Sequence, residues 1–154
     1  MRPYGNVKEF HQDLFESPYQ TLTITVNCEG VMGAGIAKAF RNRCPEGYRW
    51  YREECLSGRF PPDRLALYPL DRWGKRQALL FPTKILWRNP SPIELIEWNL
   101  KALRDNYRSM RIKSLAIPPL GCGHGGLFYE EEVRDRMLEY LSEMTIDVGI
   151  YLGH

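Results

Sequence analysis

The alternation of polar and apolar residues along the chain predicts a series of short strands. Residues 21–26 alternate strictly and are rich in β-branched side chains, which is typical of a strand. Residues 65–68 and 77–81 predict two strands joined through a tight turn. Residues 114–118 predict a short strand, and residues 146–152 predict a final one. In that last strand the apolar positions alternate: Ile146, Val148, Ile150 and Leu152.

Between these strands the apolar residues follow helical spacing. One helical pattern begins at Ile36 and stops before Pro45, and a second covers residues 46–57 with Gly58 as its stop signal. Another helix is predicted over residues 130–143. Its buried side chains are predicted to be Val133, Met137, Leu138 and Leu141.

The helix after residue 90 has the clearest predicted start in the chain. Ser91 is predicted as the N-cap, Pro92 as the first helical residue, and Glu94 as the partner that completes a capping box. The apolar stripe of this helix is Ile93, Ile96, Leu100, Leu103 and Tyr107.

This order of elements predicts an α/β fold. Strands that alternate with helices indicate a central sheet with helices on both faces, and therefore three α/β/α layers. The predicted hairpin near residue 74 implies that the sheet is mixed, although mostly parallel. We find no internal repeat and no linker in the 154 residues, which suit a single domain with one core.

Composition places the chain among ordinary water-soluble proteins, with 44% hydrophobic and 26% charged residues. No apolar run approaches the ~20 residues needed to cross a bilayer. Residues 1–6 lack the apolar stretch of a signal peptide, so we expect a cytoplasmic protein without a membrane partner.

The net charge of +2 does not by itself indicate a nucleic-acid-binding protein, but the basic residues are clustered. Residues 41–52 and 72–76 both interleave basic and aromatic side chains, a combination that can bind phosphates and stack on bases. The alternative to nucleic-acid binding is that residues 41–52 form an amphipathic helix and residues 72–76 a solvated turn. The side chains concerned are Arg41, Arg43, Tyr48, Arg49, Trp50, Tyr51 and Arg52 in one cluster and Arg72, Trp73, Lys75 and Arg76 in the other.

The cysteines do not indicate a metal site. They form no C-x-x-C pair and have no histidine at zinc-ligand spacing, so we expect reduced and mostly buried thiols and no bound metal. The four are Cys28, Cys44, Cys55 and Cys122.

Two loops share the order of a strand, several glycines and then a helix. Residues 30–35, the first glycine loop, read Gly-Val-Met-Gly-Ala-Gly, and residues 121–126, the second glycine loop, read Gly-Cys-Gly-His-Gly-Gly. Glycine lets a backbone approach a ligand closely, and helix N-termini favour phosphate. Two such loops favour a ligand with more than one phosphate. The spacing matches neither G-x-G-x-x-G nor the P-loop, so a standard dinucleotide or P-loop site is disfavoured.

Lys84 is the candidate catalytic residue. It ends the motif Phe81-Pro82-Thr83-Lys84 at the end of a predicted strand. Beside a bound diphosphate sugar, a neutral lysine amine can attack an anomeric carbon, and burial or a neighbouring cation lowers the pKa of such a lysine. A lysine at a strand end is otherwise a solvated surface charge.

These motifs together resemble the macrodomains, and more closely the branch that contains the DNA ADP-ribosyl glycohydrolase antitoxins (DarG type). Residues 26–37 are similar to the family's first ligand loop, and residues 117–127 to its second phosphate loop. Residues 81–84, followed by Trp87 and Arg88, are similar to the lysine motif of that branch, and Asp13-Leu14 to its adenine-contacting segment.

The resemblance implies a macrodomain that binds ADP-ribose and removes it from modified single-stranded DNA, without a cofactor or metal. Lys84 would be catalytic, Trp87 and Arg88 would contact nucleic acid, and an ADP-ribosyltransferase toxin would be the partner. Asp13 would accept from the adenine amino group, Asn27 would contact the distal ribose, and Tyr151 would stack on adenine or simply pack. The implied ADP-ribose contacts are Asp13, Leu14, Asn27, Gly30, Val31, Met32, Gly33, Gly35, Gly121, Cys122, Gly123, His124, Gly125, Gly126, Leu127 and Tyr151.

Three positions differ from the family pattern. Gln12 stands where the family has a glycine, and Ile24 where it has the earlier asparagine of an N-x-x-N pair. Gly125 stands where the protein-directed glycohydrolases carry an aspartate, which favours DNA as the substrate.

Other functions stay open at the level of sequence. A non-catalytic ADP-ribose-binding domain would use the same loops and leave Lys84 as a surface residue. The remaining enzymes are a hydrolase of ADP-ribosylated protein and an ADP-ribose-1″-phosphate phosphatase in which His124 takes part. A nucleophilic pair of Cys122 and His124 is disfavoured, because residues two apart in a glycine-rich turn rarely have the required geometry.

Overall fold

The computed structural model describes residues 5–153 as one six-stranded sheet with four α-helices. The strands are β1 (Val7–Phe10), β2 (Thr21–Val26), β3 (Ala66–Pro69), β4 (Gln77–Pro82), β5 (Ser114–Ile117) and β6 (Asp147–Tyr151). The helices are α1 (Gly35–Arg43), α2 (Pro45–Leu56), α3 (Ile93–Asn106) and α4 (Arg134–Ser142).

The sheet is mixed and mostly parallel, as predicted. Its spatial order is β1-β6-β5-β2-β4-β3, and only β3 runs antiparallel to its neighbour, β4. In the centre of the sheet, β2 pairs with β4 from Thr21 opposite Gln77 to Val26 opposite Pro82. The predicted hairpin is therefore β3 and β4.

Helices cover both faces of the sheet, which confirms the three-layer prediction. Along β4, Leu79 and Phe81 pack into the core under α3 and α4, whereas Ala78 and Leu80 pack into the core under α1 and α2. Successive side chains of a strand point to opposite faces, so a strand covered on both sides is apolar at nearly every position. The apolar side chains predicted to be buried at α3 and α4 are buried, except that Ile93 is only partly buried.

Two strands differ from what was expected. β1, a short edge strand that carries Lys8 and Glu9 and pairs in parallel with β6, was not predicted. The last strand was predicted to alternate, but Val148, Gly149, Ile150 and Tyr151 are all buried because both of its faces are covered.

The predicted capping box at Ser91 is wrong. The N-cap of α3 is Pro92, and no side chain caps this helix. Ser91 instead packs against the second glycine loop, where its backbone N–H donates to the carbonyl oxygen of Gly125 at 2.8 Å. The helix predicted over residues 130–143 also begins differently, with one wide turn at Tyr129–Val133 ahead of α4.

No helix within residues 5–153 is long and apolar enough to cross a membrane.

Candidate functional site

A cleft of about 1000 Å³ lies at one edge of the sheet. Because β1, β6, β5, β2 and β4 run parallel, the segments that follow them meet at their shared carboxyl edge. Ligands of open α/β sheets bind at this edge. Both glycine loops and Lys84, which are distant in sequence, line this one cavity.

Most of the predicted site residues line the cleft: Asp13, Leu14, Asn27, Val31, Gly33, Gly35, Lys84, Trp87, Arg88, Gly121, Cys122, Gly123, His124, Gly125 and Tyr151. The remaining four lie off its wall. Met32 is buried in the core under α1 and α2, and Leu127 packs on the core under α3 and α4. Gly30 packs against Arg52, and Gly126 ends the short turn of the second glycine loop.

Asn27, the first residue after β2, organises the loop that follows. Its Oδ1 accepts from the backbone N–H of Glu29 at 3.0 Å and from the hydroxyl of Tyr51 at 2.8 Å, while its Nδ2 donates to the carbonyl oxygen of Val31 at 2.8 Å. An amide nitrogen has two donor hydrogens, so one remains for a ligand. Any contact of Asn27 with a ribose is thus limited to a single donor.

We expect Tyr51→Phe to lower the free energy of unfolding by about 0.5–1.5 kcal/mol, because it removes a buried hydrogen bond to Asn27, whose carbonyl oxygen and Oδ1 both lie 2.8 Å from the hydroxyl. The hydroxyl of Tyr51 is fully buried, and burial raises its pKa, so it stays a neutral donor. Urea denaturation measures the change. Tyr48→Phe on the same helix is the control, since that hydroxyl makes no hydrogen bond within residues 5–153. Equal stability of both variants would contradict the assigned role.

The N-terminus of α1 opens onto the cleft at the end of the first glycine loop. The helix starts at Gly35, whose φ of +57° is favoured by glycine, and Ala34 provides no side-chain cap. The first backbone N–H groups of a helix have no partner within it, so they are available to an anion. Residues 33–37 line the cleft here.

The second glycine loop forms the facing wall. Gly123 has φ +73°, and a Cβ at this position would meet no atom within 4 Å. A Cβ at Gly125, in contrast, would lie 2.5 Å from Oγ of Ser91. The two loops approach each other where a Cβ on Gly35 would lie 3.7 Å from the His124 ring.

Lys84 reaches across the cleft from the end of β4. Its Nζ lies 3.4 Å from the carbonyl oxygen of His124 in the second glycine loop, at the long limit of a hydrogen bond. Partial burial lowers the pKa of this lysine below its ordinary value of about 10.5. The amine is thereby easier to deprotonate, as a nucleophilic lysine requires.

Residues 84–91, here called the lysine segment, are hydrogen-bonded to the two residues that precede the first glycine loop and to the second glycine loop itself. The backbone N–H of Cys28 donates to the carbonyl of Ile85 at 2.9 Å, and the carboxylate of Glu29 accepts from the N–H of Trp87 at 2.8 Å. At the other end, Ser91 donates to Gly125. These hydrogen bonds hold the lysine segment in the cleft, beside the second glycine loop and the start of the first.

The far end of the cleft is formed by Asp13, Leu14 and Tyr151. Asp13 caps a short turn, its Oδ1 accepting from the N–H of Phe15 at 2.9 Å, which leaves Oδ2 free for a ligand. Tyr151 is only 4% exposed and stacks on Phe10 with a centroid distance of 5.0 Å. This geometry favours the packing interpretation of Tyr151.

The Macro domain family matches residues 24–135, and this region carries both glycine loops and Lys84. This chain belongs to the macro domain family. The resemblance found in the sequence is confirmed.

Proteins similar in sequence to this macrodomain occur in bacteria and in fungi. A DNA ADP-ribosyl glycohydrolase of Thermus aquaticus is 38% identical over 90% of this chain and 39% of that protein. A DNA ADP-ribosyl transferase–DNA ADP-ribosyl glycohydrolase fusion protein of Thermosipho africanus is 37% identical over 96% of this chain and 42% of that protein. The chain spans about two fifths of these relatives. An Aspergillus clavatus ADP-ribose 1″-phosphate phosphatase is 40% identical over 80% of this chain and 50% of that protein.

The structure of Thermosipho africanus DarTG in complex with ADP-ribose superimposes on this macrodomain with a TM-score of 0.90. The two are 36% identical, and the match covers 99% of this chain and 43% of that one.

Neither basic cluster lines the cleft of the macrodomain. The turn at residues 72–76 precedes the first residue of β4 and so lies at the opposite edge of the sheet. In the other cluster Tyr51 is buried, Trp50 packs on Tyr68, and Arg41 covers the ring of Tyr48. The alternative of a packed helix and a solvated turn accounts for both clusters.

The structure does not favour a nucleophilic role for Cys122 in the macrodomain. Burial raises the pKa of the Cys122 thiol to about 11, which opposes the thiolate that a nucleophile needs. The cysteines are free and only partly buried, not mostly buried as predicted. Within the described part of the chain, no three His, Cys, Asp or Glu side chains cluster as metal ligands.

Several residues that line the cleft were not named individually as ligand contacts in the sequence analysis. Seven of them lie inside the motifs at residues 26–37, 81–84 and 117–127, so membership of a motif was the available signal; the others lie in β2, after β6 or beside Asp13. The residues concerned are Gln12, Thr25, Val26, Ala34, Ile36, Ala37, Thr83, Pro118, Pro119, Leu152 and Gly153.

Proposed function

We propose that this chain is a single macrodomain, residues 1–154, that binds ADP-ribose and hydrolyses the glycosidic bond joining it to a base of single-stranded DNA. The observation that carries the proposal is the position of Lys84, which lines the same cleft as both glycine loops, with its Nζ 3.4 Å from the carbonyl oxygen of His124 and its pKa lowered by partial burial. The names of the bacterial relatives support the same activity.

The ligand would lie along the cleft with adenine at Asp13 and the distal ribose near Lys84. The free Oδ2 of Asp13 accepts from the adenine amino group, and the remaining Nδ2 hydrogen of Asn27 donates to the distal ribose. Backbone N–H groups of both glycine loops and of the α1 N-terminus hold the diphosphate. No metal or cofactor takes part.

Lys84 acts at C1″ of the distal ribose. Its neutral Nζ forms a bond to C1″ while the bond from C1″ to the base nitrogen breaks, and the departing base takes up the proton that Nζ gives up. Water then adds to C1″ and releases Lys84 and free ADP-ribose. In the alternative, the Lys84 ammonium only stabilises the charge that develops as the base departs, and water attacks directly.

The test is a parallel incubation with ADP-ribosylated single-stranded DNA and ADP-ribosylated protein, with free ADP-ribose as the product measured. We expect release from the DNA. Release from the protein alone would replace DNA by protein as the substrate. Release from neither, with ADP-ribose binding in calorimetry that persists in chelator, would leave a non-catalytic ADP-ribose-binding domain.

A second candidate activity is hydrolysis of ADP-ribose-1″-phosphate, which the fungal phosphatase relative favours. This substrate places a phosphate on the same C1″ atom beside Lys84 and His124. Phosphate release that exceeds the rate on modified DNA would make this the principal activity.

The biological setting that fits this activity is the reversal of a toxin. An ADP-ribosyltransferase that modifies DNA would be the partner, since the Thermosipho africanus relative is a fusion of the two activities. The chain would act in the cytoplasm, where DNA is accessible.

We expect Trp87→Ala to lower kcat/KM on modified single-stranded DNA by about 5- to 150-fold, because stacking on an aromatic ring contributes about 1–3 kcal/mol per base. Trp87 is 50% exposed at the cleft, and Arg88 lies over its ring at 5.8 Å. The Kd for free ADP-ribose should change by less than about threefold.

The matched control is Trp73→Ala, which removes a 76% exposed tryptophan at the opposite edge of the sheet. It should leave the rate on DNA unchanged. An equal loss of rate in both variants, or none in Trp87→Ala, would show that no base stacks at the lysine segment.

A further inference from the structure

The hydroxyl of Ser91 is buried under the second glycine loop without a hydrogen-bond partner among residues 5–153. Ser91 is 4% exposed, and its backbone N–H is bonded to the carbonyl of Gly125. Its Oγ lies so close to Gly125 that a Cβ on that glycine would be 2.5 Å away. The unpaired hydroxyl therefore faces the underside of the loop.

The role of helix cap does not explain this side chain. Pro92 occupies the N-cap position of α3, and no side chain caps the helix. A buried hydroxyl without a partner destabilises a fold, so it calls for a specific explanation.

The loop above Ser91 has peptide groups that can reorient. Gly123 and Gly126 have φ values of +73° and +80°, and neither carries a side chain that would resist rotation of the adjoining peptides. The hydrogen bond that closes the loop turn, from the N–H of Gly126 to the carbonyl of Gly123, is 3.2 Å long. Rotation of one of these peptides could therefore turn its N–H or carbonyl toward Oγ of Ser91.

We propose that Ser91 is a positioning residue for ligand binding: its hydroxyl hydrogen-bonds a backbone group of the second glycine loop in the ADP-ribose complex. This inference rests on the proposed function, in which that loop holds the diphosphate. Ser91 acts through the loop and touches neither Lys84 nor the reacting carbon.

Ser91→Ala separates this role from a purely structural one, because stability and binding should change in opposite directions. Removing an unpaired buried hydroxyl should raise the Tm without ligand by a few degrees. Losing a hydrogen bond of the complex should raise the Kd for ADP-ribose by about 3- to 10-fold. At saturating substrate kcat should be unchanged, and addition of ADP-ribose should protect amides 123–126 from hydrogen exchange less than in the wild type.

Thr23→Val is the matched control. Its Oγ1 is also buried and unpaired, but Thr23 lies within β2 and does not line the cleft. This variant should raise the Tm and leave the Kd unchanged. Equal Kd values for Ser91→Ala and the wild type would overturn the inference whichever way the Tm moves. If the wild type itself fails to bind ADP-ribose, the proposed function fails, and the inference fails with it.

Discussion

Replacing Lys84 with alanine is expected to abolish release of ADP-ribose from modified DNA, by at least about a thousandfold in kcat, while the Kd for free ADP-ribose stays within about threefold. A group used only in the transition state affects the rate without much effect on ground-state binding. The long 3.4 Å contact of Nζ with His124 indicates that Lys84 is not needed to hold the loop. Single-turnover assays and calorimetry measure the two quantities.

Lys38→Ala, which removes an exposed lysine of α1 outside the cleft lining, is the charge-matched control and should be fully active. A joint loss of binding and rate in Lys84→Ala would instead mean that this lysine only neutralises the diphosphate. Lys84→Arg distinguishes the two forms of catalysis, because arginine stays protonated. An active arginine variant would exclude attack by this side chain and favour the electrostatic role.

Gly123→Val is expected to eliminate ADP-ribose binding, with a Kd at least about a hundredfold higher than that of the wild type. The position lines the cleft, has φ +73°, and has open space around its Cα, so the branched side chain would occupy the place of the diphosphate. A β-branched residue at positive φ also strains the backbone. Calorimetry with ADP-ribose measures the loss.

Gly58→Val is the control that separates the effect of backbone strain from the effect of a side chain that fills the ligand's place. Gly58 has nearly the same φ, +74°, and equally open surroundings, but it lies just beyond α2 and away from the cleft. It should lose the same stability and retain binding. Binding that survives in Gly123→Val would move the diphosphate off this loop. Gly125→Val should also lose ADP-ribose binding, but for another reason. Its side chain would collide with Ser91, so the Tm should fall as well.

The fold was predictable where local pattern and tertiary environment agree. The β-branched run of β2 and the apolar stripe of α3 are evident in the sequence because burial selects those residues directly. The edge strand β1 was not, since Lys8 and Glu9 face partly open surroundings and leave no apolar pattern. The prediction that Ser91 caps α3 was wrong for a related reason. The preference for serine at an N-cap is local, whereas the contact of Ser91 with Gly125 is set by tertiary packing.

The types of residue that form the site could be predicted from the sequence, but the contacts that each residue makes could not. Glycines and a lysine after strands indicated a phosphate-binding cleft, because the carboxyl ends of parallel strands converge. The sequence alone did not reveal that the Asn27 amide is mostly used within its own loop, or that Gly125 is small to accommodate Ser91. Those facts depend on side-chain contacts between distant segments.

The pairing of β1 with β6 limits which fragments of this domain can keep a complete cleft. The end of the cleft proposed to bind adenine is built from residues near both chain ends, Asp13 after β1 and Tyr151 in β6, whereas the two glycine loops and Lys84 come from the middle of the chain. Residues 24–135, the segment matched by the family, contain neither β1 nor β6. An expression fragment limited to that segment would contain Lys84 and both glycine loops but would lack the wall at which we propose that adenine binds.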